Sequence, residues 1–145
     1  MMRLGLWLLA SLLSLSLLHP AQAASLPPFT AAYDLRFGDA LVGHAYFRLQ
    51  RPSAQRYEFE AFTIPAGTMA VEDESHEILE VSQGSLLGGM ATPELYYYSL
   101  RKGESTEILE LLFDWNAGLL KQRAGDAEQT TVLEARSQDR LSYLL

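Results

Sequence analysis

The sequence predicts an all-β fold: a single curved antiparallel sheet of about seven or eight strands, an open or partial barrel, with an N-terminal signal helix and a short C-terminal helix. Three observations predict it. Apolar and polar residues alternate from Phe29 to Gln50 on either side of Gly38-Asp39, the pattern of a half-buried hairpin. Turn residues then recur about every 8–12 residues, the spacing of a sandwich, a barrel or a curved meander. The connections are short, which favours up-and-down neighbours over Greek keys.

The chain opens on a segment outside that domain. Arg3 supplies a positive start, Leu4 to Leu18 is an unbroken run of apolar and small residues, and Ala21-Gln22-Ala23 fits the small-x-small rule for signal peptidase. Residues 1–23 read as a secretory signal peptide cut near Ala23. As a helix the run spans about 22 Å against a hydrocarbon core of roughly 30 Å, too short for an anchor. The processed protein is therefore not expected to be an integral membrane protein. The chain has no cysteine, so it uses no disulfides and has no thiol to lipidate at the cut. That usage suits the periplasm of a bacterial envelope.

Removing 23 of the 145 residues leaves 122, one β-rich domain over residues 26–145. Removing Arg3 from 11 basic residues leaves ten against 18 acidic ones, a net charge of −8. Such a chain works against the charge of nucleic acid and anionic lipid headgroups, and no nucleic-acid partner is expected.

The elements follow in order. Pro27 and Pro28 bias the lead-in to extended geometry. In the hairpin, Phe29, Ala31, Tyr33, Leu35 and Phe37 share one face, and Ala45, Phe47 and Leu49 return on it. Two registers are open. A three-residue loop pairs Phe37 with Leu41 and Leu35 with Gly43. A two-residue Gly38-Asp39 turn pairs Phe37 with Ala40 and then needs a bulge at Gly43. The bulge is favoured because it explains a mid-strand glycine. Arg51 to Gln55 is a polar turn, and Arg56 to Ile64 a third strand with Tyr57, Phe59 and Ala61 on one face. Thr68 to Glu72 is ambiguous. Glu74 to Val81 reads as a fourth strand turned by Gln83-Gly84, and Leu86 to Met90 as a weak strand or an apolar loop.

Glu94 to Leu100 is a fifth strand, turned by Lys102-Gly103. The sixth carries Leu109, Leu111, Phe113 and Trp115 against Glu110 and Asp114, and Asn116-Ala117-Gly118 ends it. Leu119 to Arg123 and Gln129 to Leu133 are the seventh and eighth strands. Ser137 is placed to cap a short helix reaching Leu145.

One set of residues carries a resemblance. An aromatic strand and turn, Tyr33-Asp34-Leu35-Arg36-Phe37-Gly38-Asp39, precede Val42-Gly43-His44-Ala45; Phe113-Asp114-Trp115 and Asp139-Arg140-Leu141-Ser142 follow. Together, over roughly Leu26 to Tyr143, these resemble the bacterial envelope family catalogued as domain of unknown function 3108. The resemblance implies export and an antiparallel β-rich fold. It implies no activity and no site residue. Members of that family continue beyond the Asp-x-Leu-Ser segment, so this chain resembles a member truncated at its C-terminus.

Candidate chemistry is sparse. Glu72, Asp73, Glu74, His76, Glu77 and Glu80 form the densest polar cluster. A metal site needs three or more converging ligands, and only His44 is left as a second histidine in the domain. The plainer reading is an acidic edge that discourages strand pairing, and no metal or cofactor is expected. Gly84-Ser85-Leu86-Leu87-Gly88 is not a nucleophile elbow, and there is no thiol. The chain is expected to be no enzyme. Strand tyrosines and inward apolar residues instead suggest a binding or carrier module for an apolar ligand, a lipid, acyl chain or lipoprotein segment. The expected ligand-facing residues are Tyr33, Leu35, Phe47, Phe59, Leu111, Phe113 and Trp115. The alternative is an interaction module of an envelope complex that docks a partner protein on a sheet edge.

Overall fold

The computed structural model describes residues 26–67, 76–87 and 89–145. The expected signal peptide and its helix, residues 1–23, lie outside the described residues, as do Glu72, Asp73 and Glu74 of the acidic cluster.

Eight strands form one antiparallel sheet in sequence order: β1 Phe29–Phe37, β2 Ala40–Ser53, β3 Arg56–Pro65, β4 His76–Leu87, β5 Met90–Lys102, β6 Ser105–Asp114, β7 Leu119–Ala124 and β8 Ala127–Val132. The sheet does not close. Among the described residues β1 pairs only with β2, and β8 only with β7. This is the up-and-down order that the short loops predict.

Directly paired residues share a face, so the register sorts the sheet into two sides. The inner face carries Ala31, Tyr33 and Leu35 on β1, Ala45, Phe47 and Leu49 on β2, and Tyr57, Phe59 and Ala61 on β3. It continues through Glu80 and Ser82 on β4, Tyr96 and Tyr98 on β5, and Leu109, Leu111 and Phe113 on β6. The outer face is laced with ion pairs, among them Arg48–Glu60 at 2.8 Å and Arg123–Glu128 at 2.9 Å. Exposed pairs of this kind contribute about 0–1 kcal/mol each; the fold rests on the inner side.

A sheet with one apolar face needs a second layer. Here that layer is the C-terminal segment beyond β8. Leu133 and Leu141 pack into a cluster with Leu49, Tyr57, Phe59, Ala61, Ala91, Tyr96 and Phe113, all buried. The helix expected from Ser137 to Leu145 does not form. Ser137 instead closes a turn on the Glu134 carbonyl, with its Oγ at 2.8 Å and Arg136 at φ 68°, and only Ser142–Leu144 makes a 3-10 turn. An extended strap covers more of the sheet than a helix of the same residues, because each residue advances about 3.3 Å rather than 1.5 Å.

Phe37 pairs with Ala40 across the two-residue Gly38-Asp39 turn, Arg36 with Leu41 and Leu35 with Gly43, so the extra residue is Val42. The two-residue turn is as expected; the bulge is a correction, since Val42 rather than Gly43 is the extra residue and Leu35 pairs with Gly43 as in the three-residue register. Gly43 sits where the chains pass closely: a β-carbon there would lie 2.8 Å from the Ile64 carbonyl oxygen. The Gln83-Gly84 turn is a correction. β4 runs on to Leu87, and Gly84 lies mid-strand, paired with Pro93 at a second bulge whose extra residue is Glu94. That bulge also breaks the alternation on β5 and turns Glu94 to the outer-face Arg56, away from Tyr96 and Tyr98.

Candidate functional site

The buried polar groups of the inner face converge on the strap. Ser82, wholly buried on β4, donates its Oγ proton to Asp139 Oδ2 at 2.7 Å. Its single proton is thereby used, so the Tyr57 hydroxyl, 3.0 Å away, is the donor to Ser82. Asp139 Oδ1 accepts the backbone N–H groups of Leu141 and Ser142, both at 2.8 Å. Asp139 thus latches the strap to the sheet and caps the last turn, which is what an Asp does best at a chain reversal. Beside it, Tyr96 donates to Glu80, and Arg140 reaches the same carboxylate oxygen at 3.2 Å. Gln138 Nε2 ties the strap to the Ala91 carbonyl at 2.8 Å. Among the described residues no buried side-chain nitrogen or oxygen lacks a partner, as a buried polar network must if it is to stabilise.

The two tyrosines bear the cost of their position as a shift in acidity. Burial pushes the Tyr57 hydroxyl up to about 12, outweighing the opposing Ser82 hydrogen bond, with the Asp139 charge adding to the rise. Burial also raises Tyr96, reinforced by its hydrogen bond to Glu80 and by that carboxylate's charge. The unfolded chain releases these protons near pH 10 and the folded chain holds them. Stability is therefore complete below about pH 10 and falls as pH climbs from there through 12, by about 1–3 kcal/mol per pH unit. In an ultraviolet phenolate titration of the seven tyrosines, Tyr57 and Tyr96 are expected to ionise only with loss of structure. Seven ionisations without unfolding would contradict the placement.

An apolar-floored groove runs beside the latch. One cavity of about 290 Å³ is lined by Tyr96, Tyr98, Leu109, Leu111 and by Gln138, Asp139 and Arg140 of the strap. A second, of about 540 Å³, continues along β6 from Leu109 and Tyr98 to Thr106, Ala124 and Gly125. Tyr98 and Leu109 line both, so the two are one groove, walled by the strap at one end and open at the β7–β8 turn. Arg140 is largely exposed at the strap end, its guanidinium engaged on one side by Glu80. Asp139, the wall's acid, is turned inward onto Ser82 and the strap backbone. The groove therefore presents a floor of Tyr96, Tyr98, Leu109 and Leu111, with the Arg140 guanidinium at the strap end and the Glu107 carboxylate toward the other.

The seven residues expected to face a ligand fall into two groups. Tyr33, Leu35, Phe47 and Phe59 lie on β1–β3, where an aromatic ladder runs inward from the sheet edge. Tyr33 meets Phe47 edge-on at 5.8 Å, and Phe47 lies 6.2 Å from Phe59. Tyr33 is 56 % exposed while Phe59 is only 3 % exposed. Leu111, Phe113 and Trp115 lie at β6 and its following turn. Phe113 is buried in the core and stacks on Trp115 at 6.2 Å, whose indole N–H donates to the Pro93 carbonyl at 2.6 Å. Leu111 alone of the seven lines the groove. The strap docks on β4 and β5 between the two groups, so they do not share a cavity. Reading the sequence strand by strand missed Glu80, Ser82, Asp139 and Arg140. The available signal was the inward parity of Glu80 and Ser82, which only a polar partner crossing the sheet satisfies.

His44 and His76 do not meet. His44 lies on the outer face with its Nδ1 3.0 Å from Asp34, while His76 has the inward parity of Ile78. Among the described residues no group of three or more His, Asp or Glu is placed to hold a metal ion, and no helix is long and apolar enough to cross a membrane. No protein-family model, curated protein or solved structure matches this chain.

Proposed function

We propose that this chain is a non-enzymatic periplasmic binding or carrier module for an apolar ligand with an anionic head, of the acyl-chain class. In this reading the sheet curves into an open, partial barrel. The carrying observation is the groove over β5–β7, with its floor of Tyr96, Tyr98, Leu109 and Leu111 and the Arg140 guanidinium at its strap end. Ligand sites are concave and mostly apolar, with a few placed polar groups that fix orientation. A hydrocarbon chain lying along β6 buries against the leucines, each CH₂ contributing about 0.8 kcal/mol. A carboxylate at the strap end exchanges for, or shares, the Arg140–Glu80 pair. The acidic surface disfavours anionic lipid bilayers, which favours single lipid molecules as cargo over membrane docking. The resemblance to the envelope family supports export and adds no activity.

The test is titration of the purified chain with a fluorescent long-chain fatty acid. Saturable binding is expected. Leu111→Asp is expected to weaken it at least about tenfold by placing a charge on the floor. Arg140→Ala is expected to weaken it about three- to tenfold and to abolish the preference for the acid over the matching alcohol. Absence of saturable binding, or binding unchanged in Leu111→Asp, would exclude this groove.

A further inference from the structure

Among the described residues the outer edge of β1 has no partner strand, and it is unlike a guarded edge. Natural sheets blunt edges with lysine, proline, bulges or short strands. β1 is nine residues long and holds no lysine and no proline between Phe29 and Phe37. Its two charges, Asp34 and Arg36, are engaged with His44 and the Asp39 carbonyl at 3.0 and 3.1 Å. Its apolar side chains are left uncovered: Tyr33 is 56 % and Phe37 84 % exposed.

We propose that β1 pairs antiparallel with β1 of a second copy about a two-fold axis through Tyr33, joining two sheets into one. The nine residues are self-complementary in that register. Tyr33 opposes Tyr33, Ala31 opposes Leu35, and Phe29 opposes Phe37, each pair on the inner face. On the outer face Ala32 opposes Asp34 and Thr30 opposes Arg36. Small faces large in every unlike pair but Phe29–Phe37, where two rings meet, and no charge meets its like. Shifting the register by two residues in one direction sets Asp34 against Asp34. Shifting it in the other leaves Phe37 without a partner. The axis stands perpendicular to the sheet, so both inner faces lie on one side, and the pairing closes as an isologous dimer. β8 is the poorer edge, with six residues and Glu128 held by Arg123 at 2.9 Å.

The chain contains no cysteine, so single substitutions report the register. The full chain, produced in an exporting host, is expected to have a dimer's mass by light scattering at tens of micromolar. Tyr33→Cys is expected to cross-link on mild oxidation and Thr30→Cys is not, because the two Thr30 positions lie about 20 Å apart in this register. Tyr33→Lys is expected to weaken the dimer at least about tenfold, and Tyr33→Phe to retain it. Fatty-acid binding in the Tyr33→Lys variant is expected to be unchanged, since the groove lies on β5–β7; the two proposals therefore fail separately. A monomer throughout, cross-linking at residue 30 but not 33, or growth into open polymers through β1 against β8 would overturn the pairing.

Discussion

Replacing Gly84 with alanine is expected to destabilise the domain by about 3–5 kcal/mol, a large part of the 5–15 kcal/mol that holds an ordinary domain together. Gly84 is not a turn glycine: its φ is not among the positive ones. What it provides is closeness. A β-carbon at this position would stand 2.1 Å from the Thr92 carbonyl oxygen and 2.9 Å from Pro93 Cα. Both are backbone atoms of β5, so no side chain can swing aside, and β5 must retreat by more than an ångström. That retreat reaches the strap directly, because Gln138 hangs on the carbonyl of Ala91, one residue before Thr92. Thermal denaturation is expected to show a fall of roughly 10–20 °C in Tm. Gly43→Ala is the comparison. Its β-carbon would meet the Ile64 carbonyl oxygen at 2.8 Å, and about 1–2 kcal/mol is expected. Equal effects from the two would mean that the β4–β5 bulge is not at Gly84.

The same glycine shows where sequence reading stops. Residues paired across short turns are locally determined, so the Gly38-Asp39 hairpin and the inward set Ala45, Phe47 and Leu49 could be read from alternation and turn chemistry. A glycine in a strand has two uses, positive φ or close approach, and Val81-Ser82-Gln83-Gly84 does not distinguish them. The choice is made by Thr92 and Pro93 on the neighbouring strand. The site was harder still. Tyr57 and Tyr96 could be assigned to a face by parity, but their partners are contributed by Ser82, Glu80, Asp139 and Arg140, with Ser82 and Asp139 57 residues apart in sequence. Nothing local specifies that a polar segment will cross an apolar face. Only the requirement that Glu80 and Ser82, inward by alternation, find partners points to such a crossing.

Asp139 is where that requirement is met, and Asp139→Ala is expected to release the strap. The substitution strands three donors at once: Ser82 Oγ and the N–H groups of Leu141 and Ser142. Two are backbone groups that water can reach only if the strap lifts. Leaving them unpaired in place costs about 1–3 kcal/mol each; lifting the strap instead uncovers Leu133 and Leu141, only 8 % and 2 % exposed in the fold. Either route gives a net loss of about 2–4 kcal/mol, and lifting is the expected one because it lets water reach the stranded N–H groups. A fall of roughly 8–15 °C in Tm is therefore expected, together with strong binding of an apolar fluorescent dye to the uncovered inner face. Asp139→Asn keeps an oxygen for the strap N–H groups but not for Ser82, and is expected to lose about half as much. Fatty-acid affinity should fall in the same order, since residues 138–140 are one wall of the groove. A variant that lost stability yet neither bound dye nor lost affinity would show Asp139 to be a fold residue only, and the strap no part of the site.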